Sequence, residues 1–152
     1  HPRSPMVPTT HLNVRYFELA DDAGRVWDRW FGGGTDVTPT YPYAADVRHF
    51  HRALARACRP FGAEVYAAGK AWCDDYFVNT HRAGAGLGVG TVAGERRGAG
   101  GVFYDHVRPG EGVAAGLDAA GLHAFAVALG TVLGDAYAPV VRRRRGERYG
   151  AD

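Results

Sequence analysis

Lysine is almost missing from this chain of 152 residues, in which 17 of the 18 Lys and Arg residues are arginines. The net charge is only +2, which argues against the strongly basic balance that is typical of nucleic-acid-binding proteins. Arginine binds carboxylates through two parallel hydrogen bonds, so a site for an acidic ligand is one interpretation of the excess. A coding bias towards arginine codons is the other.

Cysteine is also scarce, with only Cys58 and Cys73. Both lie in predicted helices without metal-binding spacing, so we expect buried free thiols in a cytoplasmic protein. No apolar run approaches the ~20 residues of a membrane span, and no signal peptide is recognisable. Because the chain starts at His1 rather than at a methionine, we expect that an upstream part is missing.

Cofactor motifs are missing as well. The glycine-rich residues 83–101 predict a long loop, but no GK[ST] follows them and no GxGxxG joins a strand to a helix. Phosphate binding is therefore disfavoured. The sequence has no flavin, nicotinamide or haem-ligation motif, so a redox enzyme of this sequence would depend on the chemistry of its own substrate.

What the chain does have is 46% apolar residues, enough for the core of a single domain over residues 1–152. Residues 11–19 alternate with period two, which predicts a strand. A second strand is predicted at residues 26–31, ended by the flexible Gly32–Gly34. The loop that follows then carries Asp36.

Longer-period patterns predict helices at 45–58, 64–79 and 117–141, and a short strand is predicted at 101–107. In the first helix His51 falls on the inner face. In the second we expect Val65, Trp72 and Tyr76 along one face. The basic run Arg142–Arg145 follows the last helix, where cations suit the negative end of the helix dipole.

The first strand carries an ionisable face. His11, Asn13 and Arg15 stand on one side of it within about 13 Å, opposite the apolar Leu12, Val14 and Tyr16. Arg15 suits a carboxylate, His11 suits proton transfer near neutral pH, and Asp36 suits an acid or base if its loop reaches the same face. A merely solvated sheet face remains the alternative.

The seven histidines give no compact metal motif. His49 and His51 face apart on a helix, and no HExxH is present. Ligands distant in sequence can still meet in space, so a metal site stays open at this point.

Five blocks of the sequence identify a family. They run in one order along residues 1–105: PMVPTTHLNVRYFE (5–18), WFGGGTDVTPTYPY (30–43), DVRHFHRAL (46–54), KAWCDDYFVNTHR (70–82) and ERRGAGGVFYD (95–105). The chain resembles the oxygen-dependent coproporphyrinogen III oxidases of haem biosynthesis.

The resemblance implies an α+β fold, with a broad, flat antiparallel sheet flanked by helices on both faces, and a homodimer. It implies that O₂ oxidatively decarboxylates two propionates of coproporphyrinogen III to vinyls, giving protoporphyrinogen IX, CO₂ and hydrogen peroxide. No organic cofactor is implied, because the electron-rich pyrrole itself reacts with O₂.

The resemblance also assigns residues. His11 takes the position of the proton donor, and the segment Asn13, Val14 and Arg15 contacts the substrate. Asp36 falls on an aspartate that engages pyrrole N–H groups or acts as the base. In some family members a divalent metal is held at the positions of His1, His51 and His81. For His51, a structural histidine on the inner face of its helix is the alternative.

The chain departs from the family pattern in length. Segments that form the pocket and the dimer upstream and downstream are absent, which predicts a partial domain. Residues 83–94 look inserted, and Ala99 stands where the family usually has isoleucine. Two alternatives follow: an inactive fragment or tetrapyrrole-binding or dimerisation module, and a histidine-based metal enzyme.

Overall fold

The computed structural model describes residues 1–79, 95–96 and 98–150. The elements are β1 Thr9–Ala20, β2 Val26–Thr38, α1 Ala44–Cys58, α2 Val65–Tyr76, β3 Val78–Asn79, β4 Glu95–Arg96, β5 Gly100–Val107, α3 Ala119–Thr131 and α4 Leu133–Arg144. Strands β1, β2 and β5 form an antiparallel sheet in that order, and β3 pairs with β4. The predicted α+β class is confirmed. Of the loop predicted at residues 83–101, residues 83–94 and 97 lie outside the described residues. The prediction is wrong at its end, where Glu95–Arg96 form β4 and β5 begins at Gly100.

The sequence predicted that the glycines of β2 end the strand, and this prediction is wrong. Strand β2 continues to Thr38 because its glycines allow close approach of the neighbouring strands: a Cβ on Gly33 would lie 2.5 Å from the Asn13 carbonyl oxygen, and one on Gly34 2.7 Å from that of Val102. Asp36 therefore lies within the sheet, directly opposite His11. The predicted loop position of Asp36 is wrong, because the register between β1 and β2 fixes its place in the sheet.

One face of the sheet is covered by helices and forms the core. Phe31 and Tyr104 of the sheet pack there with side chains of α1 and α3, and the apolar Val14 lies against α3 at Gly130. Fully buried members of this core are Phe50, Leu54, Val102, Leu122, Phe125 and Leu129. Among the described residues, the opposite face of the sheet is largely open, so a second layer of helices stays a prediction.

The buried face of α2 differs from the predicted one. Its buried residues are Val65, Gly69 and Cys73, whereas Tyr76 is 60% exposed. Gly69 explains the difference, because a Cβ there would lie 2.7 Å from Val102 Cγ1, so the glycine side of the helix is the one that can lie flat on β5. The helix also ends at Tyr76 and not at residue 79.

The third predicted helix is two helices, with Val132 between α3 and α4. By length and composition alone, Ala119–Arg144 is apolar enough to cross a bilayer, although His123, Thr131 and Asp135 interrupt its apolar residues. A core helix passes the same test, and Leu122 and Leu129 are buried against the sheet layer. The absence of a membrane span stays a prediction.

Three of the four arginines predicted to follow the last helix lie in the last turn of α4, and two of them have specific partners. Arg143 donates to Asp46 Oδ1, and Arg144 Nε donates to Asp46 Oδ2 at 2.6 Å. Asp46 is buried in the first turn of α1. The basic run therefore joins the C-terminal end of α4 to the N-terminal end of α1, a role beyond the predicted one of matching the helix dipole.

We expect the folded protein to lose stability as the pH rises above about 9. Cys58 and Cys73 are buried free thiols, as predicted, and burial raises the pKa of each from 9.0 to about 11. The unfolded chain releases these protons first, so the free energy of unfolding falls with rising pH between about 9 and 11. Urea titrations from pH 7 to 11 measure this slope. It should be smaller in Cys73→Ala, and an unchanged slope in that variant would contradict the assignment.

Candidate active site

A hydrogen-bonded acid–base pair lies on the open face of the sheet. His11 Nδ1 and Asp36 Oδ1 are 2.8 Å apart. Asp36 is 5% exposed, whereas the His11 side chain is 49% exposed. An ionised carboxylate only accepts hydrogen bonds, so with Asp36 ionised Nδ1 of His11 carries the hydrogen. The other ring nitrogen, Nε2, is then left for proton transfer.

A guanidinium and a carboxylate lie further along the same face. Arg15 is four residues from His11 on β1, about 13 Å away, and its Nη2 donates to Asp105 Oδ1 at 3.0 Å. The pair crosses β2 over Gly32, where any Cβ would overlap Asp105 Oδ1. Asp105 comes from β5 and was not predicted, because residues 101–107 read only as a short strand.

Aromatic side chains close one side of this face. Phe103 of β5 stacks on Tyr76 with the ring centroids 4.4 Å apart. Phe77 and Trp72 contact the same ring edge-on. The sequence pattern did not predict this wall, although the block at residues 70–82 contains three of its rings. The signal was hidden because Tyr76 was expected on the buried face of α2.

These groups surround one cleft with a cavity volume of about 350 Å³. It falls within the size range of sites for organic ligands. His11, Asn13, Arg15 and Asp36 all line it, so the structure brings four of the predicted residues together. Val14 is different: its side chain lies against α3 on the core side, because side chains alternate along a strand. Only its backbone remains available for the predicted substrate contact.

A second set of rings continues beyond Arg15. Phe17 stacks on Trp30, and Trp30 stacks on His106 at 4.6 Å. His106 has a φ of 54°, beside a register irregularity between β2 and β5. Arg108 lies over Trp30 and donates two hydrogen bonds to Asp28, at 2.9 and 2.7 Å.

The described residues do not fit the implied metal site. Both ring nitrogens of His51 are engaged, Nε2 with the Ala99 carbonyl oxygen and Nδ1 with the Tyr66 hydroxyl, each at 2.9 Å. Burial lowers the pKa of His51, so the ring is held neutral between α1, α2 and the turn before β5. His1 contacts Thr9 at 3.4 Å, and His81 lies outside the described residues. Metal binding by His1, His51 and His81 stays a prediction.

Comparison with known proteins shows the family of this chain. The model of the coproporphyrinogen III oxidase family matches residues 1–152. An oxygen-dependent coproporphyrinogen-III oxidase of Prochlorococcus marinus (strain MIT 9313) is 43% identical over 169 aligned residues, which include 99% of this chain. The chain spans 43% of the length of that relative.

Proposed function

Because the chain belongs to the coproporphyrinogen III oxidase family, we propose that its open sheet face is the catalytic face of an oxygen-dependent oxidase. The substrate would be coproporphyrinogen III, and the product protoporphyrinogen IX. The observation that carries the proposal is the His11–Asp36 pair at 2.8 Å, in one cleft with Arg15. This cleft offers a proton-transfer pair and a carboxylate-binding cation on one face of the sheet, from β1 and β2.

Binding would rest on charge and on aromatic surface. Coproporphyrinogen carries four propionates around an apolar macrocycle, and the Arg15 guanidinium suits one of these carboxylates. Asn13 can hydrogen-bond to the same edge of the ligand from the neighbouring position on β1. The Tyr76–Phe103 stack offers a flat apolar wall for a pyrrole ring.

Catalysis would begin at a pyrrole nitrogen. Ionised Asp36 takes the pyrrole N–H proton and raises the electron density of the ring, which then reduces O₂. For each propionate, the reduced oxygen takes a hydrogen from the carbon next to the ring as a proton, and the two electrons of that C–H bond return to the oxidised ring. The bond to the carboxylate then breaks, its electron pair becomes the vinyl double bond, and CO₂ departs. The proton from the carbon and a second proton from His11 complete hydrogen peroxide, while Asp36 returns its proton to the nitrogen.

The co-substrate in this scheme is O₂, and the substrate ring supplies the electrons. No step passes through an organic cofactor or a divalent metal. A homodimer and a cytoplasmic location accompany the family assignment as proposals. A tetrapyrrole-binding module without catalysis is the second candidate. It is favoured by the open cleft together with the 43% of the relative's length that the chain spans.

Turnover distinguishes the two candidates. Coproporphyrinogen III is mixed with the chain anaerobically and then exposed to O₂, and porphyrins are separated by fluorescence-detected chromatography while CO₂ is measured. We expect protoporphyrinogen above the enzyme-free control, with two CO₂ for each product molecule. Substrate that binds without product formation would support the binding module, and absence of binding would contradict both candidates.

A further inference from the structure

Two arginine–aspartate pairs lie on the open sheet face, and they differ in the number of hydrogen bonds that join them. Arg108 donates two hydrogen bonds to Asp28 and also lies over the Trp30 ring. Arg15 donates only one hydrogen bond to Asp105, from Nη2. The exposed fractions of the two arginine side chains are nearly equal, 36% and 37%, whereas Asp105 is more exposed than Asp28, 37% against 21%. The pairs therefore differ in hydrogen-bond geometry and in the exposure of the carboxylate.

The Arg15–Asp105 pair also leaves a second donor of the guanidinium unused. Arg15 Nε is buried and, in the described part of the chain, has no hydrogen-bond partner. A carboxylate that used both Nε and Nη2 would form the two-bond fork that Arg108 already has. A buried donor without an acceptor is costly, so this guanidinium retains a capacity for a further or better-placed acceptor.

The position of the pair decides which acceptor that is. Arg15 and Asp105 both line the cleft, whereas the Arg108–Asp28 pair does not line it. An exposed ion pair with one hydrogen bond contributes little stability, so an incoming carboxylate can displace Asp105 at small cost. The absence of a side chain at Gly32 lets the pair lie directly across β2.

We propose that Asp105 is a gating residue, an internal stand-in for a ligand carboxylate. It holds Arg15 when the cleft is empty and gives it up to a carboxylate of the tetrapyrrole. This inference rests on the proposed function and goes beyond it. When the Arg15-bound carboxylate leaves, by dissociation or as CO₂, Asp105 takes back the guanidinium, so that no unpaired cation remains in the cleft.

The direction in which Asp105→Asn changes the affinity for coproporphyrin III tests the gating role of Asp105. Asp105→Asn keeps the shape of the side chain and removes the competing charge. Coproporphyrin III, the air-stable oxidised form, should therefore bind about three- to fivefold more tightly, the upper part of the range for one exposed ion pair. Binding is followed by porphyrin fluorescence. A soluble tetra-amide of the same macrocycle, without carboxylates, should bind equally to both proteins. Asp28→Asn is the matched control and should leave both affinities unchanged.

Weaker coproporphyrin binding by Asp105→Asn would mean that Asp105 orients Arg15 for the ligand, and it would overturn the gate. An unchanged affinity would overturn it as well. Either result leaves the proposed function standing if turnover is observed. If the unsubstituted chain bound the acid no better than the amide, the Arg15 contact of the proposed function would fail together with the gate.

Discussion

Replacement of Asp36 by alanine or asparagine should reduce the rate of coproporphyrinogen oxidation by about a hundred- to ten-thousandfold, the range for loss of a general acid or base. The carboxylate is buried beside the exposed His11 ring, and asparagine cannot take a pyrrole proton. Coproporphyrin III affinity should change much less, because the Arg15 contact is retained. Rates come from product chromatography, and affinities from fluorescence titration.

Asp22→Asn, at an exposed position of the β1–β2 turn, is the control and should retain the full rate. Thermal unfolding by circular dichroism shows whether each variant is folded. A folded Asp36→Asn protein that oxidises substrate at the unsubstituted rate would remove Asp36 from the mechanism.

Replacement of Gly101 by alanine should lower the free energy of unfolding by about 3 kcal/mol or more, above the usual cost of an overpacked core position. A Cβ at this position would overlap the Thr35 carbonyl oxygen and lie 2.7 Å from Asp36 Cα. Backbone atoms cannot rotate away as a side chain can, so β2 and β5 must separate at Asp36. Urea denaturation measures the change.

Gly134→Ala is the matched control, since a Cβ at this exposed helical position meets no atom within 4 Å. It should raise the free energy of unfolding by up to about 1 kcal/mol, because alanine favours helix. If Gly101→Ala proved as stable as Gly134→Ala, the close pairing of β2 and β5 would be wrong.

The sequence predicted the polar face of β1 well because period two is a strong local signal. His11, Asn13 and Arg15 alternate with apolar residues, and the structure places all three at one cleft. Asp36 was a candidate only on the condition that its loop reached this face, and its partner His11 follows from strand register. Local patterns could not predict that register, because the glycines of β2 suggested the end of a strand. They act instead as sites where neighbouring strands come close.

The other side of the cleft depended on contacts between distant residues. Asp105 is 90 residues from Arg15, and nothing within β5 distinguishes its carboxylate from one in solvent. The aromatic wall was missed because the orientation of α2 is set by Gly69 against Val102, not by the larger apolar residues of the helix. The pairing of β2 with β5 thus places Asp105 beside Arg15, and the contact of Gly69 with Val102 sets the orientation of α2. Sequence periodicity predicts neither of these contacts.

We propose that the open sheet face binds the tetrapyrrole, and a crystal structure of the chain with coproporphyrin III tests this binding most directly. We predict a carboxylate within hydrogen-bonding distance of Arg15, pyrrole nitrogens towards Asp36, and a ring against the Tyr76–Phe103 stack. The N-terminal segment and α4 enclose another groove, which offers Arg3 and Arg145 as rival cations. A macrocycle seated there, with Arg15 still on Asp105, would contradict the account.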